Sequence, residues 1–219
     1  MKVTFACVRS GTRYGPEYVE RLRNGIRRHA APGSFDIACF TDQPDQIEGV
    51  KMHPVPGGLL GWWAKLALLQ YTWRQTRRIV YIDLDTAVVG DLTPLQNVGA
   101  DFAICENFTR AAGNLNWPCR YGSCVMVLNP SFGDDAFNRA AVLVCDSVWM
   151  AKHGRYGDQR VIEECVPDAA ILQRLMPPGF FLGYRHLTSV RPASASLVIF
   201  AGSHKPHNCG VAWVREQWQ

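Results

Sequence analysis

The sequence is short of several things, and each shortage removes a class of protein. No run of eighteen apolar residues occurs in its 219 residues, which excludes a membrane-spanning helix on length alone. The eight cysteines stand at 7, 39, 105, 119, 124, 145, 165 and 209, and none forms a Cys-x-x-Cys pair, so a zinc ribbon is not expected. Charge is nearly balanced: Lys+Arg 23 against Asp+Glu 19 leaves +4, too little for the cationic surface that nucleic acid requires. No nucleic-acid partner is expected. Lysine is scarce, and most of the cations are arginine, which suits bidentate contacts to phosphate or carboxylate. The opening strand-like stretch is too short, and too soon followed by Arg9 and Arg13, to read as a secretory signal. Cys7, Cys39 and Cys105 lie in apolar runs, as small buried hydrophobes of a reducing compartment do, so a cytoplasmic location is expected. Repeats, low-complexity segments and linkers are also missing. With 47% apolar residues the chain reads as one domain over 1–219 with a single core.

What is present is alternation. Strand-like and helix-like segments succeed one another, which predicts an α/β fold with a mostly parallel sheet and helices on both faces. Strands are expected over 3–8, 35–41, 79–83, 101–106, 123–129 and 197–200. A first helix opens at Pro16, a residue tolerated in a helix's first turn, and carries the stripe Tyr18, Val19, Leu22 and Ile26 with its arginines mostly off it. Further helices are expected over about 62–75, with Trp63, Leu66, Leu69 and Trp73, and over about 134–152. Gly157-Asp158-Gln159 opens a short one. Residues 107–121 are polar and irregular, as an active-site loop is.

Residues 79–92, Ile-Val-Tyr-Ile-Asp-Leu-Asp-Thr-Ala-Val-Val-Gly-Asp-Leu, are the most informative run. Four apolar, β-prone residues precede two carboxylates, Asp83 and Asp85, spaced one residue apart. Alternate side chains of an extended chain share a side, so the two acids point together. Acids at a buried strand end are costly unless a cation or donors meet them, and two hard oxygen ligands are half of a divalent-metal site. At the carboxyl edge of an open α/β sheet such a metal could hold a diphosphate. Asp-x-Asp also arises by chance, and Asp at a strand end is often a turn former or helix cap. The apolar pair Val88-Val89 beyond it places the acids between two strand-like segments rather than on a solvated surface.

Four more segments accompany this run in order: Trp63-Ala64-Lys65-Leu66, the strand Gly122 to Asn129, Asp158-Gln159, and Gly202-x-x-Lys205-Pro206. With them the chain resembles the nucleotide-sugar glycosyltransferases of the GT-A fold. The likeness is to family 8, the group of glycogenin and the bacterial galactosyltransferases of lipopolysaccharide synthesis, and it extends to about His207. The resemblance implies transfer of a sugar from a nucleoside-diphosphate sugar, a UDP-sugar above all, to a hydroxyl of a glycan or similar acceptor, with retention at the anomeric carbon. It implies that Asp83 and Asp85 hold Mn²⁺ or Mg²⁺ against the diphosphate, the metal acting as a Lewis acid. Lys205 would contact phosphate as a point charge, and Lys65 would approach the diphosphate and the donor sugar. Asp158 and Gln159 would line the sugar pocket near the anomeric carbon. The loop from Val8 through Arg9 and Ser10 to Tyr14 would receive the nucleoside, with Asp42 on the base or ribose and Leu84 and Gly202 among the donor-binding positions.

The same resemblance calls for a histidine shortly before the tail glycine to complete the metal shell. Here those positions are Ile199, Phe200 and Ala201, and histidine stands at 204 and 207 instead. Imidazole suits Mn²⁺, and His207 is taken as the third ligand, with His204 or a water as alternatives. Other roles stand beside those above. Lys65 reads equally as a helix lysine snorkelling past tryptophans, Asp158 as the N-cap of the helix that follows, and Asn129-Pro130 as a strand-ending turn. Trp62 and Trp63 read as packing residues. The arginines of the first helix read as a solvated face, or as a peripheral contact with an anionic membrane. Two other functions remain open. A nucleotidyltransferase would show a glycine- and lysine-rich first loop, whereas Arg9 to Gly15 has glycines and no lysine. A sugar-nucleotide binder without turnover would tolerate the missing histidine.

Overall fold

A computed structural model of the protein describes residues 2–33, 35–55, 59–72, 77–130, 132 and 135–219. Seven strands form one sheet in the order β3-β2-β1-β4-β7-β6-β8. One of its inner strands is β1 (Val3–Arg9), every residue of which is buried, as a strand covered on both faces must be. β1 pairs in parallel with β2 (Phe35–Thr41) and with β4 (Arg78–Ile82). β3 (Lys51–Pro54) extends the sheet in parallel beyond β2. On the other side β7 (Tyr121–Leu128) runs antiparallel to both β4 and β6 (Phe102–Glu106), and the two-residue β8 (Ala170–Ile171) closes that edge in parallel. The expected mostly parallel α/β sheet is therefore present, with β7 reversed.

Period-2 alternation splits the sheet's side chains between two cores. Val3, Phe5, Cys7, Val80 and Ile82 face one; Ala6, Val8, Ile79 and Tyr81 face the other. The first core is covered by α1 (Pro16–His29), whose buried residues Tyr18, Val19, Leu22 and Ile26 are the expected stripe. A small second sheet lies on the same side, with β5 (Thr86–Val88), β10 (Leu197–Ile199) and β9 (Phe181–Gly183) in the order β5-β10-β9. Two short helices, α3 (Thr93–Gln96) and α4 (Phe108–Ala111), follow β5 and β6. The second core lies under a 3-10 turn at Gly61–Leu66 that runs into α2 (Ala67–Thr72), with residues of α5 (Asp135–Cys145) and α7 (Asp158–Cys165).

Two expectations need correcting. The helix expected over 62–75 begins as 3-10, and its positions 73–75, Trp73 included, lie outside the described residues, as does Asp134. The single helix expected over 134–152 is two, α5 and α6 (Ser147–His153), because the Asp146 carboxylate accepts from the N–H groups of Val148 and Trp149 and starts a new helix. Three short strands lay below the reach of periodicity: β3 is a half-exposed Lys-Met-His-Pro edge, and β8 and β9 are two and three residues long. The turn expected at Asn129 is present, the Phe132 N–H donating to the Asn129 carbonyl at 2.9 Å. Asp91 Oδ1 accepts from the Thr93 N–H at 2.9 Å, and buried Asn129 ties Arg78 to the Val98 carbonyl.

The joint between the two sheets is tight at Gly90. The N–H groups of Val89 and Gly90 both donate to the Ser196 carbonyl, and a Cβ on Gly90 would stand 2.4 Å from the Ala195 carbonyl oxygen. Gly90→Ala should therefore overpack the joint and cost about 1–3 kcal/mol, read as a lower urea midpoint at unchanged slope.

Candidate active site

The carboxyl ends of β1, β2 and β4 and the start of the antiparallel β7 meet at one rim of the large sheet. β4 ends at Ile82, and the backbone then leaves the ladder in a turn. Its first N–H, that of Asp83, donates to the Cys124 carbonyl at 2.8 Å, and the Thr86 N–H donates back to the Asp83 carbonyl at 3.0 Å. Leu84 is buried in the first core and pins the turn, and it is flanked by Asp83 and Asp85. The protein has five lysines, at 2, 51, 65, 152 and 205, and two of them, from different elements, reach these acids.

Lys65 comes from the 3-10 turn. Its Nζ lies 2.9 Å from Asp83 Oδ1 and 3.7 Å from Asp158 Oδ2, and it donates to the hydroxyl of Ser123 at 3.2 Å. Burial alone would depress this ammonium, but Asp158 and Asp83 outweigh burial and raise its proton affinity above the usual lysine range. The snorkelling alternative therefore does not describe it. Asp158 is buried at the first turn of α7, where the helix dipole favours an anion. It is not an N-cap; Gly157, at φ +68, holds that position. Asp158 Oδ2 is buried and has no hydrogen-bond partner among the described residues. Beside it, Gln159 Oε1 accepts from the amide of Asn107 at 3.2 Å, which ties the start of the 107–121 loop to α7. Trp62, half-exposed, covers Gly157.

Lys205 comes from the tail and ion-pairs with Asp85 Oδ2, both side chains being almost fully buried. The same oxygen accepts from the Tyr14 hydroxyl at 2.9 Å. Burial and the neighbouring Asp85 push the Tyr14 phenol well above its usual range, so it stays a donor. Tyr81 plays the matching part for Asp83: its hydroxyl donates to Oδ1 of that acid. Tyr81, Ser123 and Asn107 carry no signal of their own in the sequence. Each is a polar atom at the rim end of a motif otherwise read as core or loop.

The remaining sequence-derived positions are placed as follows. Val8 is buried in the second core. Arg9 is buried too, and braces the loop after β1: its Nε donates to the Tyr14 carbonyl at 2.9 Å and its Nη1 pairs with Asp45 at 2.5 Å. Ser10 and the Gly11 N–H both reach Asp42, at 3.4 Å and 3.0 Å. Burial works against the Asp42 charge, yet Gln43 and the Gly11 N–H hold its carboxyl below the usual range. Gly202, at φ +64, makes the exposed turn before Lys205. His204 stacks on Tyr184 at 4.6 Å. His207 Nδ1 meets the Tyr18 hydroxyl at 2.6 Å, with its ring edge-on to Tyr18. Ile199, in the place where the resemblance calls for a histidine, is a core residue of β10.

Asp83 and Asp85 present carboxylate oxygens at the rim. Burial raises the Asp83 carboxyl to about 6, with Lys65 opposing and Asp85 adding to the rise. Three carboxylates and two lysines meet here, and carboxylate oxygens are hard donors of the kind Mg²⁺ and Mn²⁺ take. Among the described residues no three of His, Cys, Asp and Glu are grouped to hold a metal, with or without His207.

No protein-family model and no curated protein matches the sequence. Solved structures do match in shape. GlyE of Streptococcus pneumoniae TIGR4, a glycosyltransferase, superimposes with a TM-score of 0.70 at 15% identity, over 99% of this chain and 59% of GlyE. The galactosyltransferase LgtC in complex with donor and acceptor sugar analogs gives 0.66 at 11% identity, over 99% of this chain and 93% of LgtC. The bifunctional glycosyltransferase WbbM gives 0.62 at 14%, over 99% of this chain and 51% of WbbM. This is the GT-A fold. The chain spans about three-fifths of GlyE and half of WbbM. No helix among its described residues is long and apolar enough to cross a membrane.

Two outcomes follow from the site's charges. Lys65→Met strands buried Asp83 and Asp158, and should cost about 3–5 kcal/mol of stability, measured by urea unfolding. In metal-free buffer Asp83, with a folded-state proton affinity above its unfolded value of about 4, contributes stability that is present below pH 4 and lost as the pH rises through about 6. Asp83→Asn should flatten that part of the stability–pH curve between pH 4 and 7.

Proposed function

We propose that the protein is a glycosyltransferase that moves a sugar from a nucleoside-diphosphate sugar, a UDP-sugar first among them, to a hydroxyl acceptor. The observation that carries this reading is the convergence of Asp83 and Asp85, Lys65 and Lys205, and an Asp158 oxygen that faces Lys65 but accepts no hydrogen bond among the described residues, at one rim of a GT-A sheet. Ligands of open α/β sheets gather outside the carboxyl ends of the strands. A diphosphate needs cations, a donor sugar needs acceptors for its hydroxyls, and the rim offers both within one cluster. LgtC, of the same fold, is a galactosyltransferase whose structure holds donor and acceptor sugar analogs.

In this reading Asp83 and Asp85 hold Mn²⁺ or Mg²⁺. When bound, the ion supplies Lewis-acid stabilisation of the departing diphosphate. Lys205 serves the same diphosphate as a point charge. Asp158 Oδ2 accepts from a donor-sugar hydroxyl and favours positive charge on the ring as the glycosidic bond breaks. Gln159 is an amide tied to Asn107 and is a poor nucleophile, so no covalent sugar–enzyme step is invoked. The acceptor oxygen attacks the anomeric carbon from the face the diphosphate leaves, the bond to the diphosphate oxygen breaks, and the acceptor's proton passes to that oxygen. The anomeric configuration is retained.

A second reading, a sugar-nucleotide binder without turnover, is favoured by one observation: the positions of the expected metal histidine are Ile199, Phe200 and Ala201, the first two of them core residues. Thermal-shift measurements with a set of nucleoside-diphosphate sugars, with and without Mn²⁺, report donor choice and metal need together, because ligand stabilisation follows mass action. Asp83→Ala and Asp85→Ala should each lower metal-dependent UDP-sugar consumption by about 10²-fold or more while circular dichroism stays native. Full activity in either variant would remove the metal assignment. Binding of UDP without consumption of any donor sugar would select the binder, and release of pyrophosphate in place of UDP would select nucleotidyl transfer.

A further inference from the structure

We propose that Trp62 is a sugar platform: its open face stacks on the pyranose ring of the acceptor as that ring comes in from solvent toward Asp158. Such an acceptor deepens the glycosyltransferase reading above, and rests on it for the direction of transfer.

The two neighbouring tryptophans, both read from the sequence as packing residues, part company in the fold. Trp63 packs partly buried against the second core. Trp62 is 52% exposed, a large aromatic area to leave in water. It is nevertheless held. A Cβ on Gly157 would stand 3.3, 3.3 and 3.4 Å from Cδ1, Nε1 and Cδ2 of the Trp62 indole. Near-equal distances to three atoms of one small ring put that position over the ring's face. Gly157, with φ +68 and no Cβ, lets its backbone come up against the indole. Just before Trp62 the Gly61 N–H donates to the Ser10 hydroxyl at 3.0 Å, and Trp63 meets Trp62 edge-on with ring centroids 6.5 Å apart. With one face against Gly157, the exposed area belongs to the opposite face and the outer edge.

This face stands beside the reaction site. Trp62 and Lys65 both belong to the 3-10 turn Gly61–Leu66. Residues three apart in such a turn eclipse, separated by a rise of about 6 Å, so the indole and the lysine share one side of it. Lys65 reaches inward to Asp83 and Asp158. Across from it, the glycine under the indole is followed directly by Asp158, which is 4% exposed and whose Oδ2 accepts no hydrogen bond among the described residues. Burial therefore rises from the indole to the acid. A donor sugar held by Asp158 occupies the inner end, and an acceptor arriving from solvent meets the outer end. The negative face of an aromatic ring attracts slightly positive C–H groups. A pyranose presents C–H groups on its face and hydroxyls around its edge, so it can lie on the indole and aim a hydroxyl inward. An alkyl chain covers the indole but brings no hydroxyl, and an open-chain polyol brings hydroxyls but no flat face.

The test reads binding at the indole itself. The protein is labelled with 5-fluorotryptophan, and the Trp62 fluorine resonance is assigned by its loss in Trp62→Phe. Methyl β-galactopyranoside, methyl β-glucopyranoside and methyl α-mannopyranoside are titrated in, with and without UDP, alongside glycerol and cyclohexanol. At least one pyranoside should move the Trp62 resonance saturably, and neither control should. Calorimetry with that pyranoside should give a dissociation constant about fivefold or more higher in Trp62→Ala, with Trp62→Phe in between. Circular dichroism checks both variants, and the phenylalanine variant keeps an aromatic face in case the alanine variant fails to fold. A Trp62 resonance unmoved by every pyranoside would overturn the proposal, as would one moved equally by glycerol or cyclohexanol. So would pyranoside affinity unchanged in Trp62→Ala, or a resonance that answers to a UDP-sugar and to no free pyranoside. Pyranoside binding at Trp62 in a protein that consumes no nucleoside-diphosphate sugar would instead remove the transferase reading and leave the platform standing.

Discussion

Three carboxylates stand at one end of a well-packed sheet, and burial of acids there is tolerable only because two ammonium groups reach them from remote parts of the chain. Lys65 arrives from a turn before β4 and Lys205 from a tail 120 residues beyond Asp85. Remove these pairings and the rim becomes a locus of unpaired charge in a low-dielectric setting, where each lost partner is costly. Much of the neighbouring architecture serves the pairings. The Leu84 side chain anchors the acid turn in the core, Gly157 with φ +68 lets the chain enter α7 so that Asp158 meets Lys65, and the turn at Gly202 delivers Lys205.

The rim is also supported by neutral donors. Tyr14 and Tyr81 each give a hydroxyl hydrogen to one of the paired acids, and burial keeps both phenols protonated. Such partners orient ligating carboxylates and are as much a part of a metal or diphosphate site as the ligands themselves. The arginines of α1 are spent elsewhere. Arg21 lies over the Trp218 ring, Arg23 donates to the Glu48 carbonyl, and Arg28 donates to the carbonyl of Gln217. Much of the cationic face of this helix thus fastens the protein's own segments together.

The strand–helix order, the two-sided burial of β1 and the position of Asp83 and Asp85 were legible because each depends on local chemistry: apolar runs of strand length, a proline at a helix start, acids directly after a strand. The resemblance brought Lys65 and Lys205 to the same site as contacts of a diphosphate, but not their pairing with the acids. Nothing local in Trp63-Ala64-Lys65-Leu66 says that the lysine meets Asp83, since that contact is made by tertiary packing across 18 residues. The tyrosine donors were illegible for the same reason: Tyr81 reads as a core aromatic and Tyr14 as a loop residue, and only the folded chain reveals where their hydroxyls point. Histidine at 207 reads as a ligand by type, and its contacts with Tyr18 and Trp218 carry no local signal. The split between α5 and α6 was missed because the capping chemistry of Asp146 was outweighed by the continuous helical pattern around it.

The tail closes on the beginning of the chain. Trp218 is buried against Tyr18, whose hydroxyl meets His207, and Tyr18 in turn lies against Tyr14. Lys205 therefore hangs on a span tethered at one end by β10 and at the other by an aromatic clasp on the first helix. Fraying of the final helix would slacken that span while leaving the large sheet intact. Substitutions at the far end of the polypeptide can in this way retune the grip on Asp85 without touching any residue that meets a ligand.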